Sequence, residues 1–503
     1  MATEENKWWT LTAVCVATFM LLIDITIVNV ALPDIAKSLG SSFSDLQWVI
    51  DAYALGLAAL LLTWGSLSDR VGRRTIFVVG LVIFSAASLV CALSGSPLML
   101  NLARAVQGAG GAAMFATSLA LLASAFHGRE RGTAVGIWGA TIGAAVAIGP
   151  LVGGGLTESL GWESIFYVNI PIGIAAIYIA LTRVAESRDP KAGPTDWPGL
   201  VTFSGGLFLL IFALVRGNAE GWESTLIVAF LVAAVVLLVG FVVVEARVRY
   251  PMLDLGLFRV PTFGGASIAA FALSASMFSL FLYITLYIQN GLGYSPLEAG
   301  LRFLPLSLLS FCVAPLAGRL SAVAPIRVLI GGGLVLCSVS MFLMRGLDAS
   351  SEWTALLPGF ILAGVGVAFV NAPLASTAVS VVPPQRAGMG SGINSTFRQV
   401  GIATGTAGLG ALLEHLLSER ATGALARVPA QALAQGRPPL PGEANREAYL
   451  ALFTGGLNDL LLVGAIIALA GGVLSFALIR GQDFLASQPS GAQSQAPVDA
   501  AAA

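Results

Sequence analysis

Charged residues are few in this chain, and some of them stand inside long apolar runs. Asp24 interrupts the first apolar run and Arg104 interrupts the fourth. An arginine within a membrane costs about 2.5–3.5 kcal/mol on insertion scales, so it needs a carboxylate, carbonyl groups or water beside it. At 1.5 Å per residue Asp24 lies about 12 Å from the end of its run, and Arg104 lies at a similar depth. A protonatable acid opposite an arginine is a candidate proton-coupling site, and a fixed buried ion pair is the alternative interpretation.

The composition of the chain indicates that the helices that carry these charges lie in a lipid bilayer. Of 503 residues, 56% are hydrophobic and only 11% are charged, and the mean hydropathy is +0.86. A soluble chain of this length needs a more polar surface, since ordinary domains carry about 25% charged residues. Apolar blocks of about 20 residues cross roughly 30 Å of hydrocarbon as helices. We therefore predict an all-α polytopic membrane protein.

The apolar blocks predict fourteen transmembrane helices. They centre on residues 9–32, 46–66, 75–94, 98–126, 132–156, 163–182, 197–215, 225–245, 262–289, 298–319, 327–346, 354–380, 388–414 and 457–479. Arginine and lysine concentrate in alternate connecting segments, beginning with the N-terminal one. By the positive-inside rule, both termini are then cytoplasmic. We expect a multi-pass protein of the bacterial inner membrane.

Composition also excludes several classes of function. A net charge of −1 and a pI of about 6.2 provide no basic field for nucleic acid. His127 and His415 lie far apart, and the four cysteines fall inside apolar blocks without the spacing of a zinc site. The sequence contains no nucleophile elbow and no phosphate-binding loop. We predict no metal, no other cofactor and no enzymatic activity.

An internal repeat predicts two homologous halves. The segment GSLSDRVGRRTIFVVGLV at 65–82 aligns without a gap with GRLSAVAPIRVLIGGGLV at 318–335, and a similar offset pairs Gly108 with Gly364. Two parallel halves around a central site are typical of a secondary transporter that works by alternating access. The predicted organisation is a six-helix half at 1–190, an inserted helix pair at 191–257, a second six-helix half at 258–480 with an outer loop at 415–456 (a flap, a hairpin or a short helix), and a disordered cytoplasmic tail at 481–503.

The loop after the second predicted span has the sequence GSLSDRVGRR at 65–74. Gly65 and Gly72 allow a tight turn at a helix end, and Asp69 with Arg73 offers an ion pair beside helix termini. The positive-inside rule alone explains the arginines but not this order of glycine, aspartate and arginine.

Three further segments complete the pattern. The first span ends in DITIVNVALP at 24–33, and the fourth contains LARAVQGAGG at 102–111. The fifth ends in GPLVGG at 149–154, where a glycine and a proline permit a bend and the small residues let helices approach closely.

Together the four segments resemble the major facilitator superfamily, and in particular its fourteen-span branch of drug:proton antiporters. The resemblance implies that the 65–74 loop latches the two halves on the cytoplasmic side, and that Arg104 tunes Asp24. Ala322 stands where the second half would carry an aspartate, so the implied latch is one-sided. The residues to which the resemblance gives a gating role are Gly65, Asp69, Arg70, Gly72, Arg73, Gly149 and Pro150.

Asp51 stands in the segment QWVIDAY at 47–53. An acid at this position resembles the subgroup that exports quaternary ammonium and other lipophilic cations, although a solvated acid at a helix end is the alternative. The aromatic residues that we assign as a group to cation binding, with ordinary packing as the alternative, are Trp48, Tyr53, Trp138, Phe369 and Phe397. The resemblance gives no role to Arg398, which lies at mid-depth in the thirteenth span.

The resemblance implies a proton-coupled antiporter that exports amphipathic, often cationic drugs, dyes and antiseptics, and so confers resistance by multidrug efflux. The expected partners are a lipophilic small-molecule substrate, protons and the lipid bilayer, and we expect a monomer. A dedicated exporter of an endogenous metabolite, antibiotic, siderophore or lipid on the same fold is the alternative.

Overall fold

The structure, a computed structural model, describes residues 4–40, 43–126, 128–189, 193–321, 323–434 and 442–484, and these residues form helices and no strand. The long helices are labelled α1 to α14 in chain order. They are Glu4–Leu39, Phe43–Val71, Arg73–Ala92, Pro97–Ala125, Gly128–Leu160, Ser164–Arg183, Trp197–Glu220, Thr225–Glu245, Pro261–Gly291, Pro296–Leu320, Ile326–Leu343, Leu357–Ser380, Ala387–Arg420 and Glu443–Leu478.

Each predicted span coincides with one of these helices, so the predicted all-α membrane architecture is confirmed. In the described part of the chain, 13 helices are long and apolar enough to cross a membrane. The remaining long helix is α5, of 33 residues, whose many glycines lower its hydropathy. The count of fourteen spans and the cytoplasmic termini stay predictions.

The sequence repeat corresponds to a repeat of helix crossings. In the first half, a methyl group built on Gly80 of α3 would lie 2.9 Å from the carbonyl oxygen of Gly110 of α4. In the second half, a methyl group on Gly333 of α11 would lie 2.9 Å from the carbonyl oxygen of Gly366 of α12. Small residues let helix backbones approach closely inside a membrane, so both halves use the same device at equivalent positions.

The two halves meet backbone to backbone at the end of the bundle that carries Arg70, Arg73, Arg319 and Arg386, here called the arginine-rich face. A methyl group on Gly65 of α2 would overlap the carbonyl oxygen of Gly388 of α13. A methyl group on Gly318 of α10 would likewise overlap the carbonyl oxygen of Gly132 of α5. The repeat offset relates one crossing to the other, so a pair of equivalent glycine crossings closes this face.

The inserted pair consists of α7, which packs against α2, and α8, which packs against α7. The ring of Trp48 lies 5.5 Å from that of Phe212 on α7, and the hydroxyls of Thr63 and Ser204 are 2.7 Å apart. At the arginine-rich face, Arg70 donates to the carbonyl oxygens of residues 194, 250 and 251, in the two segments that flank the pair. The inserted helices are therefore attached to α2, which contains residues 65–71; the predicted loop at 65–74 is thus helical except at Gly72, which separates α2 from α3.

The outer loop contains short helices at Leu425–Arg427 and Ala430–Ala434. Leu433 is buried, and its carbonyl oxygen accepts a 2.7 Å hydrogen bond from the hydroxyl of Tyr449. The short-helix form of this loop is thus the one that the structure contains. Residues 435–441, most of the predicted tail (485–503), His127 and Ala322 lie outside the described residues.

Candidate functional site

Asp24 is the centre of a buried polar network in the first half. Its Oδ2 accepts a 2.5 Å hydrogen bond from Nη1 of Arg104, and only 1% of either residue is exposed. Its Oδ1 accepts bonds of 2.9 Å from Gln107 and 3.0 Å from Asn169. The carboxylate is therefore paired with a charge and further satisfied by two amide donors, as a buried ion must be.

Arg104 is held from several sides at once. Its Nη1 also donates to Oε1 of Gln107 at 2.7 Å, and its Nε donates to the carbonyl oxygen of Val49 at 3.1 Å. The guanidinium lies 4.2 Å from the ring centroid of Tyr53, which adds a cation–π contact. A proton that binds Asp24 must therefore compete with Arg104 for the carboxylate, which is the property that a coupling site requires.

Five helices of the first half supply this network, and one of them is α2, which carries Val49 and Tyr53. Asp24 lies on α1, Arg104 and Gln107 lie on α4, and Asn169 begins the longer part of α6. Ser88 on α3 accepts a 2.7 Å bond from Gln107, which closes the network on its far side. The sequence predicted the ion pair, whereas Ser88 and Asn169 were missed.

The glycines of the 149–154 segment contact the helix that carries Asp24. A methyl group on Gly149 would overlap the hydroxyl of Thr26, and one on Gly153 would lie 3.1 Å from Cα of Ile27. This part of α5 therefore follows the surface of α1 with no space for a side chain. The side chain of Pro150 lies outside the described part of the structure.

Asp69 joins the two halves at the arginine-rich face. Its carboxylate accepts 2.9 and 2.8 Å bonds from the backbone N–H groups of Gly388 and Met389, in the first turn of α13. It also accepts a 3.0 Å bond from Nε of Arg73, whose Nη2 donates to the carbonyl oxygen of Gln385 at 3.1 Å. The first N–H groups of a helix lack partners within the helix and favour an anion, so an aspartate suits this position.

Gly72 connects α2 to α3 with a φ of +132°, a conformation that favours glycine. The carboxylate of Glu186 accepts 3.0 Å bonds from the backbone N–H groups of Arg74 and Thr75, at the start of α3. A methyl group on Gly72 would lie 2.6 Å from this carboxyl group. The glycine is therefore required both by its backbone angle and by the close approach of Glu186.

A cavity of about 120 Å³ lies between the halves, where α5 and α10 separate above their glycine crossing. A methyl group on Gly136 would lie 2.9 Å from the carbonyl oxygen of Ala314, whereas one on Gly143 would lie 3.6 Å from that of Ser307. An engineered apolar cavity of about 150 Å³ accepts benzene, so this space is of the scale of one aromatic ring. The cavity is lined by Gly139, Ile142, Gly143, Phe278, Phe281, Thr285, Phe303, Leu306, Ser307, Ser310, Val367 and Asn371.

The comparison with known families decides the identity of the fold. The model of the major facilitator superfamily matches residues 14–406. The chain belongs to the major facilitator superfamily. Its solved neighbours include the human organic anion transporter MFSD10 (TETRAN), with a TM-score of 0.62 and 16% identity over 92% of this chain and 99% of that one. Similarity at this low identity concerns the fold alone.

Curated relatives from this superfamily are drug and antibiotic exporters. The tetracenomycin C resistance and export protein of Streptomyces glaucescens is 35% identical over 81% of this chain and 76% of its own length. The multidrug resistance protein Stp of Mycobacterium tuberculosis is 37% identical over 82% of this chain and 77% of its own length. One name refers to export and the other to multidrug resistance, and together with the family match they point to a transporter and not to an enzyme.

The residues that the sequence assigned to cation binding lie in different parts of the protein. None of them is among the residues that line the described cavity. Trp48 faces the inserted pair, where the guanidinium of Arg216 lies 5.4 Å from its ring centroid. The charge of Arg216 also acts on Asp51, which lies on the same side of α2. Tyr53 lies in the network of Asp24, as described above.

The other three aromatic residues lie elsewhere. The indole of Trp138 donates a 2.9 Å bond to the hydroxyl of Thr18 inside the first half. Phe369 packs beside Gly333 of α11. The ring of Phe397 lies 6.5 Å from that of Phe258. Their assignment to substrate stays a prediction.

Proposed function

We propose that this chain is a proton-coupled antiporter that exports amphipathic, often cationic drugs from the cytoplasm or the inner leaflet. The observation that carries the proposal is the buried ion pair of Asp24 and Arg104. A membrane-embedded acid and base that pair with each other are costly to bury and are typical of proton pathways.

The proposed cycle follows from competition for the carboxylate. A proton that reaches Asp24 neutralises it and weakens its bond to Arg104, which frees α1 to move relative to α4. Drug then binds between the halves when the arginine-rich face is open, and leaves when the Asp69 latch closes that face. Each direction of movement is favoured by the ligand that binds one state better, which is the general requirement for exchange.

The proposed substrates are amphipathic because the cavity combines three phenylalanines with an amide and hydroxyl groups. A lipophilic cation would interact with Asp51 and with the aromatic residues predicted above. We further propose that the protein lies in the bacterial inner membrane with both termini in the cytoplasm, and that it acts as a monomer.

Dedicated export of one antibiotic or metabolite is the second candidate function. It is favoured by the name of the tetracenomycin C relative, which refers to a single compound. A dedicated exporter would have the same ion pair and latch, so the two candidates differ only in the range of substrates.

Ethidium efflux from energised whole cells tests the proposal. We expect cells that express the chain to lose ethidium faster than cells with an empty vector, and a protonophore to abolish the difference. Efflux that persists with the protonophore would contradict proton coupling. No ethidium movement despite correct membrane insertion would contradict multidrug export and favour the dedicated exporter.

A further inference from the structure

Arg398 is a charged residue that neither the proton site nor the latch uses. It lies on α13, which begins at Ala387, so a rise of 1.5 Å per residue places it about 16 Å along the helix, near the middle of a bilayer. Its guanidinium lies 5.7 Å from the ring centroid of Phe278 on α9. Among the residues that the structure describes, no hydrogen bond or ion pair of Arg398 is present.

The contrast with Arg104 shows what Arg398 lacks. Arg104 has a carboxylate, a side-chain amide oxygen and a backbone carbonyl around its guanidinium, in addition to an aromatic ring. Arg398 has the aromatic ring alone. A guanidinium carries five N–H donors, and an arginine in a membrane is retained where a partner or a water-filled pathway meets it. Arg398 is therefore placed to donate hydrogen bonds to water or to a bound ligand.

Two buried amides of the second half each have one atom without a hydrogen-bond partner in the described structure. Asn394 precedes Arg398 by four residues on α13, so the two side chains share one face of the helix, and Nδ2 of Asn394 is a buried donor without an acceptor in the described structure. Asn371 lines the cavity, and its Oδ1 is a buried acceptor without a donor there. Phe278 connects these groups, because it lines the cavity and contacts the guanidinium.

We propose that Arg398 and Asn394 bind the anionic group of an aromatic substrate whose ring occupies the cavity beside Phe278. The substrate class is an aromatic carboxylate or phenolate, preferably with a hydroxyl or N–H group that donates to Asn371. The inference rests on the proposed function, because it takes this cavity to be part of the transport route, and it adds a second substrate class, with its own binding site, to the amphipathic cations.

The same charges disfavour a cation at this position. The residues that line the described cavity include neither aspartate nor glutamate, and Arg398 is the charge next to its aromatic wall. A cation stacked on Phe278 would be repelled by the guanidinium on the same ring. Asp51, which is the proposed residue for cations, faces Arg216 on the inserted pair instead.

The experiment is equilibrium dialysis of the full-length protein in lipid nanodiscs against three probes of matched shape. The probes are benzoate, benzylammonium and benzyl alcohol, with empty nanodiscs as the measure of partition into lipid. We expect benzoate to bind at least about tenfold more tightly than the ammonium probe, since a hydrogen-bonded charge pair is typically worth about that factor or more. Equal affinity for both probes, or a preference for the cation, would overturn the inference.

Variants then assign the preference to Arg398. Arg398→Gln should abolish the preference for benzoate, and Arg398→Lys should retain most of it. The matched control is Arg302→Gln, which removes an arginine that also lies over an aromatic ring of the second half, that of Tyr294, but outside this cavity. A preference that survives in Arg398→Gln would overturn the assignment. If that variant does not fold, the comparison of probes on the unaltered protein still decides.

Asp24→Asn separates this inference from the proposed function. It should lose gradient-driven efflux of ethidium while it retains the tenfold preference for benzoate. If the unaltered protein proves not to be proton-coupled, the dialysis still tests the anion site. If the dialysis shows no preference, proton-coupled cation export stands unaffected.

Discussion

Asp24→Asn is the substitution that most directly tests the role of the buried ion pair. The carboxylate accepts bonds from Arg104, Gln107 and Asn169. An asparagine has one acceptor oxygen and would turn its NH2 group toward one of these donors. It would also leave the guanidinium of Arg104 buried without a counter-charge. Removal of one partner of a buried pair typically costs about 3–5 kcal/mol, and we expect a loss of folding stability of that order.

The double variant Asp24→Asn/Arg104→Met distinguishes the loss of a charge partner from the loss of the carboxylate itself. Replacement of a buried ion pair by uncharged groups of similar volume is often neutral, so the double variant should regain at least about 2 kcal/mol of the stability that Asp24→Asn loses. It should not regain transport, because no protonatable group remains. Asp34→Asn is the matched control, since Asp34 is an exposed acid of the same helix, 4.0 Å from Lys37, and its loss should cost less than about 0.5 kcal/mol.

The assays are unfolding of the purified proteins in mixed micelles and ethidium transport into inverted vesicles under an imposed pH gradient. A double variant that is no more stable than Asp24→Asn would refute the argument that an uncompensated charge causes the loss. Transport by Asp24→Asn at the rate of the unaltered protein would refute the coupling role of this acid.

Three further substitutions test the latch, the glycine crossings and the cation site. Asp69→Asn removes the anion from the first turn of α13, so hydrogen exchange of the amides in that turn should become at least tenfold faster; unchanged exchange would contradict the latch. Gly318→Ala should destabilise the fold by about 1–3 kcal/mol in thermal unfolding because its methyl group overlaps a carbonyl of α5, whereas Gly332→Ala, in open space, should not. Asp51→Asn should weaken efflux of divalent cations more than that of monovalent cations, and equal losses would indicate a structural or general coupling role.

The sequence predicted the features that leave a recognisable pattern of residues within a segment of the chain. Apolar blocks of membrane length predicted the long helices, because a helix is the structure that satisfies the backbone in lipid. The repeat predicted two homologous halves, and matched glycines such as Gly80 and Gly333 lie at equivalent close crossings in the structure. The pair of Asp24 and Arg104 was predictable because a charge inside an apolar run needs a partner at its own depth.

The features that the sequence did not predict depend on tertiary contacts between ordinary residues. Ser88 and Asn169 lie in unremarkable spans, and only the packing of α3 and α6 brings them to Asp24. The cavity is lined by three of 26 phenylalanines, and no spacing separates Phe278 from rings that simply pack. Asp51 was assigned to cation binding from its own sequence segment. That segment does not show that the charge of Arg216, on the inserted pair, acts on Asp51.

The placement of the two sites makes α5 the connection between them. The acid lies in the first half, whereas the cavity is lined mainly by helices of the second half together with α5. Near Asp24, Gly149 leaves no gap between α5 and Thr26, so we expect a shift of α1 to displace α5. Farther along, Gly143 lines the cavity, and Gly132 touches Gly318 at the arginine-rich face. One continuous helix thus contacts the helix that carries Asp24, the cavity wall and the arginine-rich face. Because its small residues make these contacts tight, we expect movement of α5 at one of them to change the other two.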